Sequence, residues 1–252
     1  MDKKKQREER RRQEDIALQR GLLWVAGAIV LEALLVLVNR FYINFYMNEG
    51  EIVAALDSVL RFLRLAAPVA AVLALCWTGW QLKQKQKFVL PLILAIALAA
   101  VSICAHVAVK FRGPGVSMLF WLVIAWAVLA LVYYIYQREF FLAASACGMS
   151  VLGLWFARYE AIGRPEAIAV LAAIAVVTAA AFWLKKQDGV LPGQDRFLPA
   201  NTSYAVLLVT CAASLAAVLA GIVLPGMVAN YLIFVMAAWL FALFVYYTVK
   251  LM

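Results

Sequence analysis

The chain has 252 residues, of which 67% are hydrophobic and only 15% are charged, and its mean hydropathy is +0.90. A soluble domain is nearer half apolar and a quarter charged, so these values exclude a soluble globular protein and indicate that lipid solvates most of the chain. The formal net charge is +9, but the distribution of the basic residues indicates membrane topology and no nucleic-acid partner.

The N-terminal tail, residues 1–20, contains eight basic and five acidic side chains and almost no apolar ones. It has no apolar face to bury and no reason to fold alone. Glu8 and Arg12 have the spacing of a helical pair, so we expect a helical extension of the first span. The tail either sets the topology of the chain or attracts anionic lipid, and its interleaved acids favour the first role.

Eight apolar runs of about 18 residues or more follow, which is the length that a helix needs to cross the hydrocarbon core. They are residues 21–38, 65–82, 88–109, 118–136, 140–157, 167–184, 204–224 and 228–249. The alternation of polar and apolar residues that is typical of a barrel strand is absent. The sequence therefore predicts an all-α, polytopic transmembrane helical bundle of eight spans over residues 21–252.

The basic residues predict the orientation of this bundle. With the N-terminus in the cytoplasm, sixteen of the 23 Lys and Arg residues lie on the inner side and seven on the outer side. Basic residues are enriched on the cytoplasmic side of membrane proteins, so we expect both termini in the cytoplasm. With no organelle signal in the sequence, we expect a cell membrane, by default the inner membrane of a bacterium.

Glu32 lies near the middle of the first span. An acidic residue at the centre of a membrane helix costs about 2.5–3.5 kcal/mol on translocon scales. Glu32 must therefore face the interior of the bundle, find a hydrogen-bond donor or stay protonated.

Residues 50–64 carry an apolar stripe at helical spacing and predict an amphipathic helix. Asp57 and Arg61 are four residues apart on its other side and can form an ion pair. We expect this helix to lie on the outer face or to extend the second span outward. Pro68 either breaks the helix or is tolerated, as prolines are in membrane helices.

Intramembrane ionisable residues predict a candidate polar site. His106, the one histidine of the chain, lies in the outer third of its span, where it can contact Glu32, and Arg61 or Arg64 can approach the same region. In one interpretation, the site is functional: Glu32 binds a proton or a cation, and His106 relays protons. Alternatively, Glu32 is a buried carboxylate that hydrogen-bonds to a neighbouring helix and fixes its packing.

Residues 114–136 and 225–249 share one plan, which indicates an internal repeat. Ala-Trp at 125–126 and Val-Tyr-Tyr at 132–134 recur at 238–239 and 245–247, and each segment begins with Pro-Gly. One explanation is that a four-helix unit is duplicated over halves 21–139 and 140–252. The other is that the matches arose by chance, because membrane helices use few residue types. The duplication predicts a 4+4 parallel arrangement about an axis along the membrane normal.

Trp126 and Trp239 lie at mid-span, although indoles prefer the membrane interface. Each indole N–H should need an internal partner. These two side chains either form aromatic walls around a central cavity or simply fill the bundle.

Small residues recur at four-residue spacing in the seventh predicted span, with Ala212, Ala216 and Ala220 in one row and Ala213, Ala217 and Gly221 in the next. Such rows let helices approach closely. They predict tight packing in the C-terminal half and surfaces for a membrane-protein partner or a homo-oligomer. The four cysteines lie in four different spans without metal-ligand spacing, and we expect them to be apolar fillers.

Motifs of metalloproteases, serine hydrolases and nucleotide-binding loops are absent from the sequence, and we expect no cofactor, metal or catalytic residue. Three hypotheses remain. The chain is a small transporter or flippase-like protein, a non-catalytic component of a membrane complex, or an intramembrane lipid-modifying enzyme that uses His106 and Glu32.

Overall fold

The computed structural model of the chain describes residues 3–83, 89–136, 138–187 and 203–251, and in these ranges all of its regular secondary structure is helical. The helices are α1 (Lys3–Val38), α2 (Gly50–Lys83), α3 (Val89–Ile135), α4 (Arg138–Ala157), α5 (Arg164–Lys186), α6 (Tyr204–Val223) and α7 (Gly226–Leu251). A π-helical turn, Asn39–Ile43, and a 3-10 turn, Met47–Glu49, connect α1 to α2.

Seven helices in the described ranges are long and apolar enough to cross a membrane. The all-α prediction is therefore confirmed, and the helices are compatible with a multi-pass membrane protein. Their number differs from the eight predicted spans because the third and fourth apolar runs both fall within α3. The orientation of the termini stays a prediction.

The helix α3 is not straight, since its backbone folds back at Arg112. This residue has φ 49° and ψ −124°, which no helical residue adopts. A Cβ atom on Gly115 would lie 2.6 Å from the carbonyl oxygen of Val107, although eight residues of straight helix span about 12 Å. Two limbs, residues 89–111 and 113–135, therefore meet at a tight turn where only glycine fits at position 115.

Two expectations for the N-terminal part are confirmed by the helix bounds. The tail extends the first span as a helix, since α1 begins at Lys3. The segment 50–64 is an extension of the second apolar run, because α2 is continuous from Gly50 to Lys83 and contains Pro68 without a break. Arg61 Nε lies 2.7 Å from Asp57 Oδ2, which is the predicted ion pair.

The chain divides into two compact units. The first unit is residues 22–127, and the second consists of the described parts of 1–21 and 128–252. The predicted tail, 1–20, the membrane domain, 21–252, and the internal repeat with halves 21–139 and 140–252 are not tested by this division and stay predictions.

The helix α4 forms the centre of the second unit, where it packs against α5, α6 and α7. Small residues permit this packing. A Cβ atom on Gly153 would lie 3.1 Å from both methyl carbons of Val218 and 3.2 Å from Val170 Cγ1. The buried residues of this core include Phe140, Ala143, Ala146, Leu207, Cys211 and Tyr247.

Only one of the two small-residue rows of α6 is used in this core. Ala217 and Gly221 are buried, and a Cβ atom on Gly221 would approach Leu154 Cδ2 to 2.6 Å. Ala212 and Ala216, in the other row, are exposed. The helix therefore has one packed face and one open face of small residues.

Polar contacts close the loop between α1 and α2 in the first unit. Arg40 donates two hydrogen bonds to the carboxylate of Glu49, at 2.9 and 3.0 Å, in the bidentate geometry that guanidinium and carboxylate favour. The hydroxyl of Tyr42 donates to Asp57 Oδ1 at 2.9 Å. These bonds hold the π-helical turn that follows α1 against the 3-10 turn and the first part of α2.

Candidate functional site

Glu32 lies on the packed face of α1. The less exposed positions of this helix recur at helical spacing and include Val25, Ala28, Glu32, Leu35 and Asn39. Ile29, Val30 and Leu34, between them, are exposed. The helix thus turns its bulky apolar side chains outward and places its one mid-span carboxylate toward the interior of the first unit.

One carboxylate oxygen of Glu32 is buried without a hydrogen-bond partner in the described part of the chain. This oxygen, Oε1, has almost no solvent-accessible surface and accepts no hydrogen bond there. Burial of a charged oxygen without a donor is costly. A proton or a cation bound at this oxygen would remove that cost.

The other residues of the predicted polar site lie in the same unit. His106 is half-buried in the first limb of α3, between the buried residues Ala105 and Val107. Arg61 is exposed and paired with Asp57, and Arg64 is half-buried three residues further along α2. A contact between Glu32 and His106 stays a prediction, as does the enzymatic hypothesis that uses both residues.

The two mid-span tryptophans have different surroundings. Trp126 packs edge-to-face on Trp24, with ring centroids 4.9 Å apart. The indole N–H of Trp239 donates to Thr210 Oγ1 at 3.2 Å, so it has the internal partner that a buried indole needs. These contacts join Trp126 to α1 and Trp239 to α6. The role of the two tryptophans as aromatic walls of a central cavity stays a prediction.

If the two halves are a duplication in the register that aligns Arg40 with Arg158, Ser150 stands opposite Glu32, and its chemistry is different. It is fully buried, and its hydroxyl donates to the carbonyl oxygen of Cys147 at 2.7 Å. A hydroxyl that bonds within its own helix needs no external ligand. The unpartnered carboxylate oxygen is therefore a feature of Glu32 that its aligned residue does not share.

No protein-family model, no curated protein and no solved structure matches the chain.

A second polar cluster, around Glu139, was missed by the sequence analysis. The side chain of Glu139 is completely buried at the start of α4. Its Oε1 accepts hydrogen bonds from the hydroxyl of Tyr247 at 2.5 Å and the backbone N–H of Ser203 at 3.0 Å. Lys250 Nζ lies 3.1 Å from Oε2 and also donates to Ser203 Oγ at 3.2 Å.

The Glu139 cluster ties together three helix ends of the second unit. Glu139 lies in the first turn of α4 and Lys250 in the last turn of α7, so each charge also complements the dipole of its own helix. Ser203 immediately precedes α6. Within the described residues, the carboxylate contacts Tyr247, Ser203 and Lys250, which indicates a role in fixing these helices.

A metal centre is not formed by the described residues. No group of three or more His, Cys, Asp or Glu side chains lies close enough there to hold an ion. The expectation that the chain uses no cofactor stays a prediction.

Proposed function

We propose that the chain is a small membrane transporter or flippase-like protein in which Glu32 binds a proton or a cation. The observation that carries this proposal is the buried, unpartnered oxygen of Glu32 on the packed face of α1. Ionisable residues inside the membrane commonly mark ion pathways and proton relays.

A purely structural role for Glu32 accounts less well for this geometry. A carboxylate that fixes helix packing does so by accepting hydrogen bonds from a neighbouring helix, as Glu139 does with Tyr247 and Lys250. Glu32 Oε1 accepts none in the described residues.

Eight membrane crossings are part of the proposal. Each limb of α3, 89–111 and 113–135, has 23 residues and is about 35 Å long, which is sufficient to cross the hydrocarbon core alone. With an even number of crossings, both termini lie on one side, and the basic residues favour the cytoplasm for that side. A bacterial inner membrane is the default for the cell membrane concerned. Reporter fusions after Arg112 and at the C-terminus should report opposite sides of the membrane.

Flux in proteoliposomes tests the proposed function. Purified wild-type protein, reconstituted with a pH-sensitive dye in the lumen, should move protons or a coupled cation faster than empty vesicles do. Glu32→Gln should lose this flux, while Glu51→Gln, which changes an exposed carboxylate at the start of α2, should retain it. Wild-type flux equal to that of empty vesicles, across the cations and substrates offered, would refute the proposal.

The open face of α6 favours a second candidate function, a non-catalytic component of a membrane complex. Ala212 and Ala216 are exposed there, and small residues at this spacing let another helix approach closely. If this candidate is correct, Ala216→Leu should weaken an association with a second copy or another membrane protein. Native purification that always yields a lone monomer would contradict it.

A further inference from the structure

A pocket of about 300 Å³ opens at one end of the second unit, at the opposite ends of α4 and α7 from the Glu139 cluster. It is lined by the last residue of α4, the turn into α5, the end of α6 and the turn into α7. These lining residues are Ala157, Glu160, Arg164, Ile222, Val223, Leu224 and Pro225. Its volume is at the lower limit for small-molecule sites, so it suits a headgroup-sized ligand.

Two opposite charges, Glu160 and Arg164, line this pocket. Glu160 Oε1 accepts a hydrogen bond from the backbone N–H of Gly226 at 3.3 Å, so the carboxylate reaches across to the first residue of α7. Arg164, at the start of α5, is exposed, and among the described residues no salt bridge is formed by its guanidinium. The pocket therefore offers an anionic group and a cationic group to one ligand.

The backbone holds Glu160 in an unusual conformation. Its φ is 49°, in the left-handed region that non-glycine residues rarely adopt. Hydrogen bonds fix it there, since its N–H donates to the carbonyl of Ala157 and its own carbonyl accepts from the N–H of Arg164, both at 2.9 Å. Strained residues of this kind cluster at ligand clamps, and this one carries an acidic side chain of the pocket.

The remaining wall of the pocket is apolar and continues into a lipid-facing surface. Val223 is 74% exposed and Leu224 is 47% exposed. Such side chains at the end of a membrane helix contact acyl chains or the interface below the headgroups. A ligand that enters here can thus have charged groups in the pocket and an apolar part in the bilayer.

We propose that this pocket binds a zwitterionic group that carries both an ammonium and a phosphate, as in phosphoethanolamine. The phosphate accepts hydrogen bonds from the guanidinium of Arg164, which suits phosphate geometry. The ammonium pairs with the carboxylate oxygen of Glu160 that Gly226 does not use. The group comes either from a phospholipid headgroup or from a free molecule, and the site is independent of Glu32.

Native mass spectrometry of the purified full chain tests the proposal, with three probes: dihexanoyl phosphatidylethanolamine, dihexanoyl phosphatidylglycerol and free phosphoethanolamine. Wild-type protein should bind the ethanolamine lipid about tenfold more tightly than the glycerol lipid, since only the former supplies a charge-assisted bond to Glu160. Binding of free phosphoethanolamine would support the same site with a soluble ligand. Retention of none of the three probes would overturn the proposal.

Three variants test the roles of the two charges. Arg164→Gln should weaken the binding of both lipids about tenfold. Glu160→Gln should bring the affinities for the two lipids close together. Glutamine can still accept the bond from Gly226, and thermal unfolding would verify that the fold is retained. Arg158→Gln is the control, because this exposed arginine stacks on Tyr159 and does not line the pocket. Unchanged affinities in Arg164→Gln would by themselves overturn the assignment, since this exposed position tolerates glutamine.

Discussion

Lys250 Nζ lies 3.1 Å from Glu139 Oε2, and this contact joins the last turn of α7 to the first turn of α4. The carboxylate is fully buried, whereas the side chain of the lysine remains 23% exposed. A salt bridge of this kind contributes less by attraction than its loss costs, because removal of the lysine leaves a buried charge without its counter-ion.

Replacement of Lys250 by methionine should therefore destabilise the protein strongly. We expect a loss of about 3 kcal/mol in the free energy of unfolding, measured by denaturant unfolding in detergent. Lys186→Met is the control, since Lys186 is exposed at the end of α5. Equal stability of the two variants would show that the Lys250–Glu139 contact does not hold the helix ends together.

The hydroxyl of Tyr247 makes the shortest bond to Glu139, at 2.5 Å. Tyr247→Phe removes one donor from a buried carboxylate and should cost about 2 kcal/mol. Tyr246→Phe, which removes a longer 3.3 Å contact to Ser203, should cost much less. In the background of Glu139→Gln the effect of Tyr247→Phe should shrink, and an unchanged effect in this double-mutant cycle would contradict the coupling.

Two glycines of α4 provide a matched test of the packing. Gly153→Ala places a Cβ atom against Val218 and Val170, and overpacking there should cost about 1–2 kcal/mol. Gly148→Ala meets nothing within 4 Å and should be neutral or stabilising by up to about 1 kcal/mol, because alanine favours the helix. Thermal unfolding of both variants would show which is the less stable. A Gly153→Ala variant more stable than Gly148→Ala would refute the packing.

The bidentate contact between Arg40 and Glu49 should hold the loop before α2 in place. Arg40→Lys retains the charge and loses the two parallel bonds, so amide hydrogen exchange over residues 44–50 should become faster. Arg61→Lys is the control, since Arg61 is 65% exposed and contacts Asp57 through one nitrogen. Equal exchange in the two variants would show that the bidentate geometry contributes nothing to the loop.

The sequence predicted the helical class and most helix positions because long apolar runs have one stable form in lipid. It also predicted the Asp57–Arg61 pair, which depends only on local spacing. The reversal at Arg112 lies directly before Gly113, Pro114 and Gly115, residue types that favour a turn. The apolar pattern could not show that helical geometry continues almost to this turn on both sides.

The Glu139 cluster could not be found from spacing, because its partners lie 64, 108 and 111 residues away. Glu139 stands beside Arg138 at the edge of an apolar run, which is the pattern of an ordinary solvated helix end. The sequence does show an acidic residue at the start of α4 and a basic residue at the end of α7, which could form a pair. Hydropathy, however, does not specify which helix ends meet.

The pocket charges were equally hidden in the sequence. Glu160 and Arg164 have the spacing of a surface helical pair, and in the sequence Arg164 is one basic residue of a connection between two apolar runs. Their separation into two walls depends on the left-handed backbone at Glu160 and on its bond to Gly226, 66 residues away. Neither feature has a sequence pattern of its own.

The most direct test of the central claim is an infrared difference spectrum of the reconstituted protein between neutral and acidic buffer. If Glu32 takes up a proton or exchanges it for a cation, the wild type and Glu51→Gln should show a carboxyl C=O band that Glu32→Gln lacks. Addition of a transported cation should diminish this band. Identical spectra for the wild type and Glu32→Gln would contradict the account.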